Sequence, residues 1–228
     1  MDKETLMLTV AVLGGTGKEG KGLAYRWAKA GYQVLIGSRT PEKAILTAAE
    51  IIEMLEGMGS VVGMSNEEAA RQANIVVLAV PYEAHRNTLE NVKEAVRGKL
   101  FIDVTVPLVR PKVSKVQMPA AGSAAQEAKE ILGEDVEVVA AFQNISHEYL
   151  LEDRDVDCDV LVTGTSKNAR HEALKLVEAA GLTGWDAGPI ENSVVVEGLA
   201  SVLININRQY GSTHAGIRIT GAENKKQS

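Results

Sequence analysis

Near its start the chain reads LTVAVLGGTGKEGKGLAYRWAKAGYQVLIGSRT, and the glycines of this stretch constrain the fold more than any other feature. Gly15, Gly17 and Gly20 stand in the spacing G-x-G-x-x-G, with Gly14 before them and Gly22 after. A near-continuous apolar run ends at Leu13, as expected for a parallel strand covered on both faces. From Lys18 onward Leu23, Ala24, Trp27 and Ala28 recur at helical spacing, and Gly31 supplies a stop. In such a strand–turn–helix unit the first glycine turns the chain, the second admits a pyrophosphate to the backbone, and the third lets helix and strand pack closely. The helix N-terminus adds unpaired N–H groups and a partial positive charge for the phosphates. The spacing alone is a weak signal; its place between strand and helix makes it a dinucleotide signature.

The same alternation continues. QVLIG predicts a second strand, and Pro41 opens a helix with Thr40 as its cap. SVVGM, NIVVLAVP and KLFIDVTVP predict further strands, separated by the helical NEEAARQA and YEAHRNTLENVKEAVRG. VPLVRPKVSKVQMPAAGS, with three prolines and no period, reads as a long surface connection, followed by a helix in SAAQEAKEILG and a strand in DVEVVAAF. The expected fold is α/β: a Rossmann-type, doubly wound, mostly parallel sheet. After Asn144 the pattern changes, so residues 1–144 are assigned to the dinucleotide-binding domain. Residues 145–228 are assigned to a small C-terminal α/β subdomain, with a strand CDVLVTG, a helix SKNARHEALKLVEAAG and a long apolar helix ENSVVVEGLASVLININRQYG. LTGWDAGPI reads as the lead into that last helix, and the tail AENKKQS as frayed.

The end of the second strand selects the dinucleotide. A carboxylate there would hold the ribose hydroxyls of NAD, but the chain reads GSRTPEK. The Arg39 guanidinium can pair bidentately with a 2′-phosphate, the Ser38 hydroxyl can donate to it, and Lys43 can reach it from one turn into the next helix. An acid would repel that phosphate. NADP(H) is the expected cofactor, with an Arg39–Glu42 surface pair as the bland alternative.

Composition narrows the partners. A net charge of −6 and an aromatic content of 4% argue against nucleic acid and anionic membranes. No apolar run approaches the ~20 residues that span a bilayer, and the opening MDKETLMLTV is too short in its apolar part, and too acidic, for a secretion signal. The single cysteine, Cys158, excludes an internal disulfide and a cysteine-rich metal site, and its surroundings predict a buried, inert thiol. A cytoplasmic protein without a metal fits these features.

Three blocks, VAVLGGTGKEGKGLAYRWAKAGYQVLIGSRTPEKA, IVVLAVPYEA and WDAGPIENSVVVEGL, together resemble the NADPH-dependent reductases of the deazaflavin coenzyme F420. The resemblance runs in order over nearly the whole chain. It implies direct hydride transfer between NADP(H) and F420, stacked in a cleft that the C-terminal part helps to form. By the same resemblance Gly15, Thr16, Gly17, Lys18, Glu19 and Gly20 lie along the diphosphate, and Ser38, Arg39 and Lys43 along the 2′-phosphate. Ala79, Val80 and Pro81 lie by the nicotinamide ribose and ring. Gln143, Asn144, Ile145 and His147, with Ala215 in the tail, lie by the acceptor; the segment QNISH itself departs from the family's wording.

Hydride transfer between two cofactors asks little of side chains, since the cofactors carry the chemistry and the protein sets distance, angle and dryness. No catalytic side chain is therefore assigned. His85 and His171 are expected to be solvated on helices, and His147 and His214 to border the acceptor. Arg208 and Arg218 are candidates for the acidic tail that the resemblance implies on F420. Two alternatives remain: an NADPH-dependent reductase of a flavin, a ferric chelate, or an imine or keto acid, and an NADP-sensing protein without turnover. The last helix is apolar almost all round, so it must be buried on most sides, within the chain or in a homodimer.

Overall fold

The computed structural model describes residues 8–152 and 155–222. Strands β1 (Thr9–Leu13), β2 (Gln33–Ser38), β3 (Ser60–Ser65), β4 (Ile75–Leu78), β5 (Leu100–Asp103), β6 (Glu137–Ala140), β7 (Asp159–Gly164) and β8 (Thr183–Pro189) alternate with helices. The helices are α1 (Lys18–Lys29), α2 (Pro41–Met54), α3 (Asn66–Gln72), α4 (Tyr82–Val92), α5 (Ala124–Leu132), α6 (His147–Leu150), α7 (Lys167–Ala179) and α8 (Ser193–Tyr210). The described strands make one sheet in the order β3-β2-β1-β4-β5-β6-β7-β8. All its pairings are parallel except β6 with β7.

Why the central strands are mostly apolar is clear from the two cores. In β1, Val10 and Val12 face a layer holding Leu23, Trp27, Ile51 and Leu176 from α1, α2 and α7. Ala11 and Leu13 face the opposite layer, with Ala69, Leu89, Val92 and Ala128 from α3, α4 and α5. Successive side chains of a strand point to opposite faces, so a doubly covered strand must be apolar at every position.

The order 3-2-1-4-5-6 of the first six strands reverses direction at β1 and β4, and their carboxyl ends open a crevice there. The strands beyond residue 144 do not build a sheet of their own: β7 and β8 continue the first one. Two side chains of α1 tie this later part down. Trp27, fully buried, donates Nε1–H to the Leu176 carbonyl at 2.8 Å. Arg26 donates to the carbonyls of Leu150 and Tyr149 at 2.9 and 2.8 Å.

Three expectations are corrected. LTGWDAGPI is not a mere lead-in but contains β8, an edge strand whose two glycines and proline mask it. ISHEYLLEDRDVD, read as irregular, holds the short helix α6. The last helix is not buried on most sides: Val195 is 65% and Val202 45% exposed, because α8 lies at the margin of the fold with one face outward. The frayed tail, apart from Ala222, lies outside the described residues.

Candidate functional site

Three helices begin at the crevice, and none of them has a side-chain cap. Gly17 precedes α1, Thr40 precedes α2 and Pro81 precedes α4, each without a side-chain hydrogen bond to the first amides. Among the other described helices α3, α5 and α7 are capped by Ser65, Ser123 and Ser166, whereas α6 and α8 also lack a side-chain cap. Orphan N–H groups at a helix start are normally satisfied; here three sets are left facing one groove, a ready-made anion site.

The glycines divide by function. Gly14 has φ +73°, a conformation that residues with a side chain rarely adopt, and a Cβ there would stand 2.6 Å from Val80 Cγ1. On Gly15 a Cβ would stand 2.8 Å from the Val12 carbonyl oxygen, and on Gly20 2.8 Å from Gly15 Cα. These positions are closed by the protein itself. A Cβ on Gly17 would meet nothing nearer than 3.5 Å, so the protein's own packing does not require that glycine. A close backbone approach by a diphosphate does require it, and the loop fits such a group.

Two cavities share Gly17, Ala79, Val80 and Pro81. The smaller, about 230 Å³, is bordered by Thr16, Ser38, Arg39, Thr40, Lys43 and Asn66. Ser38 Oγ accepts the Thr40 N–H at 3.1 Å, which leaves its own hydrogen free to donate. Arg39 and Lys43 are exposed, and the Arg39–Glu42 pair considered from sequence does not form. Asn66, unnoticed in the sequence, braces the turn from below: its Oδ1 accepts the Gly14 N–H at 3.3 Å. A strand-end asparagine gives no sequence signal of this kind, since its role depends on β2 and β3 being neighbours.

The larger cavity, about 800 Å³, lies at the carboxyl ends of β4, β5 and β6. Lys18, Glu19, Ala79, Val80, Pro81 and Gln143, all predicted, are on its wall. The loop after β5 supplies the opposite wall through Thr105, Val106, Leu108, Val109, Arg110 and Val113. The loop is a cavity wall rather than the plain surface connection its prolines suggest, because it follows the carboxyl end of a central strand, where such sheets place their ligands. Gln143 is buried and donates Nε2–H to the Asp103 carbonyl at 2.7 Å, while its Oε1 has no partner. Glu19 Oε1 is likewise buried without a partner, and burial pushes its carboxyl up to about 8.

Beneath the cavity floor is a polar cluster that the sequence did not reveal. His85, expected to be solvated, is fully buried, because the face of α4 that carries it packs against the sheet. Its Nε2 lies 2.6 Å from Asp103 Oδ2, whose Oδ1 accepts the Thr105 N–H at 2.9 Å. Burial alone would lower the imidazole's pKa, but Asp103 and Glu127 reverse the direction and raise it. Glu127 accepts from Tyr82 Oη at 3.0 Å and from Arg86 at 2.6 Å. Burial, then the Glu127 bond, push the Tyr82 phenol up to about 12.

Other predicted residues lie off both cavity walls. Asn144 is buried, donating Nδ2–H to the Asp159 carbonyl at 2.6 Å, and Ile145 is in the core. His147 opens α6, half-buried, and Ala215 donates its N–H to Asn207 Oδ1 at 2.8 Å. His171 is half-exposed, while His214 is exposed against the Tyr149 ring at 5.0 Å. Arg218 is held by Asp157 at 2.6 Å and Arg208 donates to Ser114 at 3.2 Å, whereas Arg110 lines the larger cavity. Cys158 is buried, which pushes its thiol up and leaves it inert.

Fold and groove together define a dinucleotide-binding oxidoreductase scaffold. Residues 9–107 match the family model described as NADP oxidoreductase coenzyme F420-dependent. The F420-dependent NADP reductase of Methanocaldococcus jannaschii is 38% identical over 225 residues, covering 95% of this chain and 100% of its relative. That of Methanothermobacter marburgensis is 40% identical over 220 residues, covering 93% and 98%. A crystal structure from Arthrobacter sp. FB24 superposes with a TM-score of 0.77 at 24% identity, covering 92% of this chain and 98% of that one, which supports the fold. The chain belongs to the F420-dependent NADP reductase family.

Proposed function

We propose that the chain is an NADP-dependent oxidoreductase that transfers a hydride directly between NADP(H) and coenzyme F420. The observation that carries the reading is the groove, running from three uncapped helix starts into a cavity whose titratable wall residues among those described are Lys18, Glu19, Tyr82, Glu83 and Arg110. Bound together, the nicotinamide and deazaflavin rings supply all the redox chemistry, one giving and the other taking a hydride.

The protein's own residues bind, orient and dry. The first amides of α1 and the open Gly17 receive the diphosphate, while Ser38, Arg39 and Lys43 grip the 2′-phosphate. Val80 and Pro81 on one side, with Val106, Leu108 and Val113 on the other, form apolar walls that exclude water and hold the rings at transfer distance. Gln143, anchored through Nε2, offers its unpartnered Oε1 to a ring N–H or a carboxamide. Arg110 at the wall, rather than the ion-paired Arg218, is the better receiver for the acidic tail of F420.

In this reading residues 1–144 carry NADP(H) and residues 145–228 complete the acceptor side. The exposed Val195, Val202 and Ile206 of α8 support a homodimer. The partners are small molecules rather than nucleic acid, and the setting is the cytoplasm; among the described residues no helix is long and apolar enough to cross a membrane. The test is to mix the protein with NADPH and oxidised F420 and follow bleaching of the deazaflavin's visible absorbance. Flavin, a ferric chelate, a cyclic imine and a keto acid serve as parallel acceptors. Turnover with one of these and none with F420 overturns the assignment.

A further inference from the structure

Glu19 stands immediately before the last glycine of the G-x-G-x-x-G turn, a place where the side chain points from the diphosphate loop towards the ring end of the groove. It lines the larger cavity with Val80, Pro81, Thr105 and Gln143, and its Oε1 is buried without a hydrogen-bond partner. A carboxyl so placed is a costly group to bury unless a charge meets it there. The nicotinamide ring is that charge in one oxidation state only: it is a cation in NADP+ and neutral in NADPH.

We propose that Glu19 ionises as the nicotinamide in this cavity becomes cationic, so that a carboxylate faces NADP+ and a neutral carboxyl faces NADPH. The assignment rests on the NADP(H) reading above. In the forward direction the nicotinamide is oxidised, losing a hydride with its electron pair to the deazaflavin, which is reduced. The deazaflavin also takes up one proton, and the carboxyl releases one as the ring gains its positive charge. Charge within the cavity wall is thereby kept constant.

The groups around Glu19 are few. Lys18 and Lys21 are on its own helix, and Lys21 is held at 2.7 Å by Glu50 of α2. Tyr82 and Glu83 come from the start of α4 and Arg110 from the loop after β5, while α6, packed against α1, carries His147 off the cavity wall. None of them hydrogen-bonds Glu19 among the described residues, and burial is the cause that holds its carboxyl up at about 8. The diphosphate and the 2′-phosphate are common to both oxidation states, so they cancel from a comparison of NADP+ with NADPH.

The measurement is therefore the ratio Kd(NADPH)/Kd(NADP+), determined by direct titration from pH 6 to pH 9. Between the carboxyl's pKa in the two complexes this ratio rises by up to about tenfold per pH unit, because one proton separates them. The full chain should show a rise of at least about tenfold over the range. In Glu19→Gln, and independently in the apolar Glu19→Leu, the ratio should stay flat. A flat ratio in the unaltered protein, or an unchanged rise in a folded variant, overturns the assignment. If the unaltered protein binds both nucleotides and reduces F420 with a flat ratio, Glu19 alone is misassigned. If it binds neither nucleotide, the NADP(H) reading falls as well.

Discussion

At the scale of single residues, the glycine turn separates two kinds of demand. Gly15 and Gly20 are required by the protein's own backbone, Gly17 by what approaches it. Gly17→Ala, at the N-cap of α1, should lower the unfolding free energy by no more than about 1 kcal/mol yet weaken NADPH binding by tenfold or more. Gly15→Ala should instead lower stability by about 1–3 kcal/mol through overpacking. Isothermal titration beside urea melts reads both; a Gly17→Ala protein that binds NADPH normally contradicts the placement of the diphosphate. The sequence made these positions legible because the turn is local, as are Ser38, Arg39 and Lys43, which cluster within six residues. His85, Asp103 and Asn66 were not legible. Each acts through a neighbour brought from another strand or helix, and a histidine among polar residues looks solvated until α4 is seen packed on the sheet.

Among the elements, a long-range link joins α8 to α5 through a buried carboxyl. Glu197, fully buried in α8, accepts the N–H groups of Ala124 and Ala125 at 2.7 and 3.1 Å. Burial pushes its carboxyl up to about 8, against the pull of those two amides. A carboxyl held above its ordinary 4.5 binds its proton more tightly folded than unfolded. Its contribution to stability is thus fully present below pH 4.5 and is lost as pH rises through about 8. Glu197→Gln should reduce that decline, leaving the part due to Glu19, pushed up to about 8 by burial, and to His85, whose raised pKa acts in the same direction above its ordinary 6.5. Glu197→Ala should cost about 2 kcal/mol by orphaning buried amides. Urea midpoints at pH 5, 7 and 8.5 check both; an unchanged pH slope in Glu197→Gln contradicts the account. The sequence pointed to this glutamate only as part of a family block. Its partners are the first residues of a helix more than seventy positions earlier, beyond the reach of any periodicity.

For the molecule as a whole, one sheet of mostly parallel strands carries both halves of the groove. Strand alternation and helix spacing made the first six strands readable, since each, the half-exposed edge strand β3 included, is a short apolar-rich run bounded by turn residues. β8 escaped because an edge strand need not be apolar, and α8 misled because an apolar helix can face a second copy as well as its own core. If the outward face of α8 is the dimer contact, Val202→Glu should convert the protein to a monomer by light scattering without lowering its unfolding temperature. A monomer before the substitution, or an unmoved dimer after it, contradicts that surface. The central claim, that a hydride passes directly between NADP(H) and F420, has a more immediate test. NADPH carrying deuterium at the transferring C4 position is mixed with the protein and oxidised F420, and the reduced deazaflavin is examined by mass spectrometry. Direct transfer predicts that the product carries the deuterium, undiluted by the water. Reduced F420 without the label, or no reduced F420 at all, would contradict it.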